Sequence, residues 1–121
     1  MIEIVLDGEF TTLNEYILAE RGHYRKAAEI KKFETQRVRL ETIGVLPVPL
    51  EYYPLVVTFH WYRKNQKSDP DNVSFAKKFI LDGLQVAGII KGDGWKEIAE
   101  FYDYFYAPST NPHVTIRFER S

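Results

Sequence analysis

Residues Ile2 to Asp7 alternate, with Ile2, Ile4 and Leu6 on one side and Glu3, Val5 and Asp7 on the other. That is the period-two pattern of a short half-buried strand, which Gly8 closes. A helical period follows between Tyr24 and Ile43, where Ala27, Ile30, Phe33 and Leu40 form an imperfect apolar stripe and Arg25, Lys26, Glu29, Lys32 and Arg39 lie largely off it. The run VLPVP, Val45 to Pro49, breaks the chain, because each proline restricts the residue before it. Leu55, Val57, Phe59 and Trp61 then alternate with Val56, Thr58, His60 and Tyr62, the strongest strand signal in the chain. After Ser68-Asp69-Pro70-Asp71-Asn72 a second helix is predicted. Pro70 suits an early helical position, where its missing N–H is harmless, and Val73, Ala76, Ile80, Leu84 and Ala87 make the apolar stripe, which ends near Val86 to Gly88.

Ile98 to Tyr106 fits a helical face through Ile98, Tyr102 and Phe105, yet its aromatic density favours a strand; Trp95 and the rings from Phe101 to Tyr106 suit base stacking or a dimer interface, but the core is the favoured place for them. APSTNP is a turn, and Val114, Ile116 and Phe118 alternate with His113, Thr115, Arg117 and Glu119 in a last strand. The order strand, helix, strand, helix, strand, strand, closed by one tight strand-turn-strand, predicts an α+β fold. The expectation is one small domain over residues 1–121, with a mixed sheet of about four strands and two main helices packed on it.

Hydrophobic residues make up 45% of the 121 and aromatics 15%, enough apolar surface to offset the chain entropy and exclude a disordered polypeptide. The absence of cysteine removes disulfide scaffolds, thiolate zinc sites and cysteine nucleophiles together. No basic flank followed by a long apolar run opens the chain, and no stretch nears the roughly 20 apolar residues a bilayer span needs, so a cytoplasmic protein without membrane contact is expected. A net charge of −1 argues against a general basic coat for nucleic acid. Locally the balance differs. Between Trp61 and Lys78 five basic residues, Arg63, Lys64, Lys67, Lys77 and Lys78, face only Asp69 and Asp71, a surface suited to phosphate.

Ser, Asp, Pro and Asn are turn and N-cap residues, so SDPDN alone could be structural. Three features beside it point further: Lys77 and Lys78 on the following helix, and a third acid, Asp93, set between Gly92 and Gly94 just after that helix. At about 100° per residue, Lys78 and Asp82 fall on the same helical side as Asp71, and Lys77 on another. If Asp69, Asp71 and Asp93 converge, their mutual repulsion calls for a cation among them. All-oxygen ligands select Mg²⁺, or Mn²⁺, over zinc, and an EF-hand is excluded because Val73 and Ser74 stand where a ligand and a glycine are needed. Such a metal, with a lysine to stabilise charge on phosphorus oxygens, is the equipment for phosphodiester hydrolysis.

DPDN, then KFILDGL, then GII and a loop aspartate, resembles the RusA family of Holliday junction resolvases, small endonucleases of bacteria and their phages; the likeness is specific from about Lys67 to Ile98. The resemblance implies a RusA-like fold and a dimeric, Mg²⁺-dependent nuclease that nicks opposing strands of a four-way DNA junction. In it Asp69, Asp71 and Asp93 would be metal-binding catalytic acids and Lys78 the catalytic lysine. Two departures stand out. The family's lysine often stands four residues after the second aspartate, where this chain has Phe75, leaving Lys78, Lys77 or neither for the role; and Gly92 occupies a position where many members carry an acid. Arg63, Lys64, Lys67 and Lys77 are the candidate DNA contacts. The rivals are a nuclease for other branched or flapped DNA, and a non-catalytic DNA-binding or assembly factor whose acids merely cap a helix.

Overall fold

A computed structural model describes residues 1–45 and 49–121. Four strands and four helical segments follow in the order β1 (Ile2–Asp7), α1 (Leu13–Gly22), α2 (Tyr24–Thr42), β2 (Leu55–Tyr62), α3 (Pro70–Ser74), α4 (Lys77–Val86), β3 (Ile98–Tyr106) and β4 (His113–Arg120). The fold is α+β, as the alternating patterns predict. The break expected at VLPVP includes residues 46–48, which lie outside the described residues.

The sheet is mixed, with strand order β1-β4-β2-β3. β4 runs antiparallel to both neighbours, with Ile116 opposite Ile4 on β1 and Phe59 on β2. β3 runs parallel to β2, with Tyr104 beside His60. A parallel pair needs a crossover rather than a hairpin, and α3 and α4 supply it. The tight strand-turn-strand expected at the end of the chain is therefore not present: β2 lies between β3 and β4. The reason is burial. Val114, Ile116 and Phe118 are apolar enough for an inner strand and are buried, whereas the tyrosine-rich β3 is left at the edge.

One side of the sheet is covered by helices. Leu55, Val57, Phe59 and Trp61 of β2, Ile4 and Leu6 of β1, and the three apolar residues of β4 meet Phe79, Ile80 and Leu84 of α4 in a continuous core. The predicted stripe of the second helix is buried as expected from Val73 to Leu84. Its backbone is tightened at Phe75 and Ala76, where Ala76 N–H donates to the Val73 carbonyl at 3.3 Å and Lys78 N–H to that of Phe75 at 3.2 Å, so one predicted helix becomes α3 and α4.

On α2 the buried line is Ala27, Glu34, Val38 and Thr42. Phe33 and Leu40, expected in the stripe, are 66% and 65% exposed. The orientation is set by α4: a Cβ on Gly83 would lie 2.5 Å from Val38 Cβ, so the two helices touch through a glycine. Burying Glu34 is tolerated because its Oε2 accepts from Thr11 N–H at 2.8 Å and its Oε1 pairs with Arg37 at 3.1 Å. Helix α1 is not among the predicted elements. Its start is a capping box in which Glu15 N–H donates to Thr12 Oγ1 and Thr12 N–H donates to Glu15 Oε1.

Candidate active site

Two parallel strands and their crossover leave a crevice at the carboxyl ends of the strands, the usual ligand position in such units. Here it is a cavity of ≈ 290 Å³ lined by Arg63, Asn65, Gln66 and Asp69 on the β2 side and by Phe105 and Tyr106 on the β3 side. Arg63 holds the two strand ends together through its backbone, donating to the Tyr106 carbonyl at 2.8 Å and accepting from Ser109 N–H at 2.8 Å.

Asp69 sits at the N-cap of α3 in extended conformation, and its carbonyl accepts from Asn72 and Val73 N–H at 3.0 and 3.1 Å. Its carboxylate makes no capping bond. The side chain is thus not used by the helix it precedes, and it is exposed at the cavity wall. Asp71, in the first turn, accepts from Asn72 N–H at 3.0 Å and is also exposed.

The two lysines diverge. Lys78 reaches Asp82 Oδ1 at 3.1 Å and Asp93 Oδ2 at 3.4 Å, so it bridges α4 to the loop before β3. The hydrogen bond that Lys78 donates to Asp82, then the charges of Asp82 and Asp93, raise its pKa above the usual lysine value against an opposing effect of burial. Lys78 therefore stays protonated at neutral pH. Lys77 turns the other way. Its Nζ lies 2.6 Å from Asp103 Oδ2 and 4.6 Å from the centre of the Phe101 ring, while Asp103 Oδ1 accepts from Trp61 Nε1–H at 2.9 Å.

Among the proposed DNA contacts, Arg63 is engaged within the molecule, 3.6 Å from Glu9 and donating to the Phe10 carbonyl at 3.1 Å. Lys77 is engaged by Asp103. Lys64 and Lys67 are exposed and form no ion pair among the described residues.

The structure brings Asp93, Lys78 and Asp82 together, whereas Asp69 stands at the N-cap of α3 and Asp71 in its first turn. It does not gather the five into one cage: among the described residues no three His, Cys, Asp or Glu side chains group closely enough to hold a metal ion. The topology explains the spacing. Asp69 follows the carboxyl end of β2, while Asp93 precedes the amino end of β3 and borders a separate hollow with Trp95, Glu100 and Phe101.

Sequence reasoning missed two acids here. Asp103 anchors Lys77, and its signal was a lone charge inside an aromatic strand. Glu97 accepts from Gly94 N–H at 3.1 Å and fills the space at Gly92, where a Cβ would lie 2.9 Å from its Oε1. It brings a second carboxylate to the Asp93 loop.

Compared with known proteins, the chain matches no family model and no curated sequence. Among the described residues no helix is long and apolar enough to cross a membrane.

Proposed function

We propose that the protein is a Mg²⁺-dependent, structure-selective endodeoxyribonuclease of the RusA type that resolves four-way DNA junctions by paired nicks. The observation that carries this reading is the Asp69 carboxylate. It stands at the N-cap of α3 but leaves the helix uncapped, and it faces a cavity at the carboxyl ends of two parallel strands. An acid placed only to start the helix would bond the first-turn N–H groups.

The donor set suits a hard cation in its chemistry, being entirely carboxylate. Asp69 and Asp71 would hold Mg²⁺, or Mn²⁺, while Asp93 stays with Lys78 and Asp82, apart from them. A bound ion would supply acidity to water and offset charge on the leaving oxygen. The chain's own residues do the rest. Lys78, kept protonated by Asp82 and Asp93, offers positive charge to a phosphodiester oxygen. Lys64 and Lys67, beside the acidic turn, grip the flanking backbone. The proposal includes a homodimer, because paired nicks in strands of like polarity need two symmetric sites, and a cytoplasmic location in a bacterium or phage-infected cell.

A second reading, a DNA-binding or assembly factor without catalysis, draws on the separation of Asp93 from the Asp69 pair. Incubation of the purified protein with end-labelled four-way junctions, flaps and plain duplex, with and without Mg²⁺, separates the possibilities. Symmetric Mg²⁺-dependent nicks near the branch are expected. Nicks confined to flaps would point to a different branched substrate, and binding without any nick would establish the non-catalytic role.

A further inference from the structure

We infer that the outer edge of β3 is a self-association surface, where a second copy of this chain adds its own β3 antiparallel and joins two four-stranded sheets into one of eight. β3 is paired on one side only, by β2. Phe101, Tyr102, Tyr104, Phe105 and Tyr106 lie between its fourth residue and its end and keep between 39% and 49% of their surface exposed. The expectation that these rings fill the core is thus corrected. Register with β2 places Phe101, Asp103 and Phe105 on the helix side, level with Val57, Phe59 and Trp61, and Tyr102, Tyr104 and Tyr106 on the open side, level with Thr58, His60 and Tyr62. The strand is aromatic on both faces, and the rings on each face stay close to half exposed.

Edge strands of monomers are usually protected by lysine, proline, a bulge or shortness. From Phe101 to Tyr106 there is no lysine or proline; the one register shift against β2 lies earlier, at Leu55/Val56; and the strand is 9 residues long. Its two acids are internally bonded, Asp103 to Lys77 and Glu100 to the Tyr102 hydroxyl. The patch is poor in free charge, as the centres of protein interfaces are. A nucleic-acid partner is disfavoured for the same reason, since the neighbouring open face carries Glu3, Glu100 and Glu119 against Arg117, which Glu3 already pairs.

The exposed rings bring the area close to what a specific interface needs. An aromatic side chain buries about 150–250 Å², so five left near half exposed offer roughly 400–500 Å² per copy. The two copies then reach about 800–1,000 Å² before any backbone is counted, close to the lower bound of roughly 1,000 Å² for a specific interface. A two-fold axis at Tyr104 sets Tyr104 against its own copy and Tyr102 against the partner's Tyr106. It also places Asp103 opposite the partner's Phe105, avoiding two carboxylates face to face.

The surface deepens the homodimer of the nuclease proposal, but it rests on β3 alone. The chain has no cysteine, so Tyr104→Cys introduces a single thiol. The unmodified protein is expected to sediment at twice the chain mass, and Tyr104→Lys at the chain mass with an unchanged circular dichroism spectrum. Tyr104→Cys is expected to form a disulfide-linked dimer on mild oxidation, while Glu119→Cys does not. A monomeric unmodified protein would overturn the inference. So would a Tyr104→Lys protein that remains dimeric, or one that loses DNA binding with no change of mass. A dimer through β3 that never nicks DNA removes the nuclease and keeps the interface; a monomer that nicks does the reverse.

Discussion

Replacing each of the adjacent lysines by methionine should separate a structural residue from a chemical one. Lys77 loses an ion pair at 2.6 Å whose partners are only 20% and 21% exposed, together with its position over the Phe101 ring. A hydrogen bond to a charged group is worth about 1.5–3 kcal/mol and an exposed cation–π contact about 0.5–1 kcal/mol. Methionine preserves the aliphatic stem, and Asp103 keeps its bond from Trp61, so Lys77→Met should cost roughly 2 kcal/mol of stability. Lys78 is 58% exposed, and pairs of that kind contribute about 0.2–1 kcal/mol, so Lys78→Met should stay within roughly 0.5 kcal/mol of the unmodified protein. Urea unfolding followed by tryptophan fluorescence measures both, and junction cleavage under conditions where each variant is folded gives the second axis. Lys77→Met should be less stable yet active, and Lys78→Met stable yet at least about a hundredfold slower, the scale of one lost charge stabiliser. The opposite pattern, a stable inactive Lys77→Met beside an active Lys78→Met, would refute the assignment of the two lysines.

Gly83→Ala forces a Cβ to 2.5 Å from Val38 Cβ and 2.9 Å from the Thr35 carbonyl. Overpacking of this kind costs about 1–3 kcal/mol and outweighs the gain of up to about 1 kcal/mol in helix propensity, so the urea midpoint should fall; an unchanged or raised midpoint would mean that α2 and α4 are not in this contact. Thr12→Ala removes the capping box of α1 and should cost about 1 kcal/mol by the same assay, whereas no change would argue against the helix start. Because Asp82 and Asp93 raise the folded pKa of Lys78, its paired charge is complete below the unfolded value of about 10.4 and fades only as pH rises through the folded one. The cleavage-rate ratio of Lys78→Arg to the unmodified protein should therefore be flat from about pH 7 to 9; a ratio climbing with pH would show the ammonium being lost too early.

Much of the scaffold was legible because single-sided burial writes a clear period. Leu55 to Trp61 and Val114 to Phe118 read as strands and are strands, since each is apolar at every second position. β3 was harder. Its composition gave the strand but not its place, because aromatic content does not distinguish an inner strand from an edge left uncovered. The register of α2 was hidden by a buried glutamate, which reads as polar until Thr11 and Arg37 are seen beside it. The capping box at Thr12 and Glu15 was readable, and α1 follows from it. At the site, the turn, the loop acid and the divergence of the two lysines came from spacing alone. What spacing could not supply was the interruption at Phe75 and Ala76, which ends the ideal-helix phase carried from Asp71 to Lys78, or the topological separation of Asp93 from Asp69.

The central claim is that Asp69 and Asp71 together form a catalytic pair and do not serve merely to start α3. Single-turnover cleavage of a four-way junction by Asp71→Asn, run beside a binding titration on the same DNA, tests it most directly. Junction affinity and fold should be retained while Mg²⁺-dependent nicking disappears; nicking at the unmodified rate, or no nicking by the unmodified protein, would contradict it.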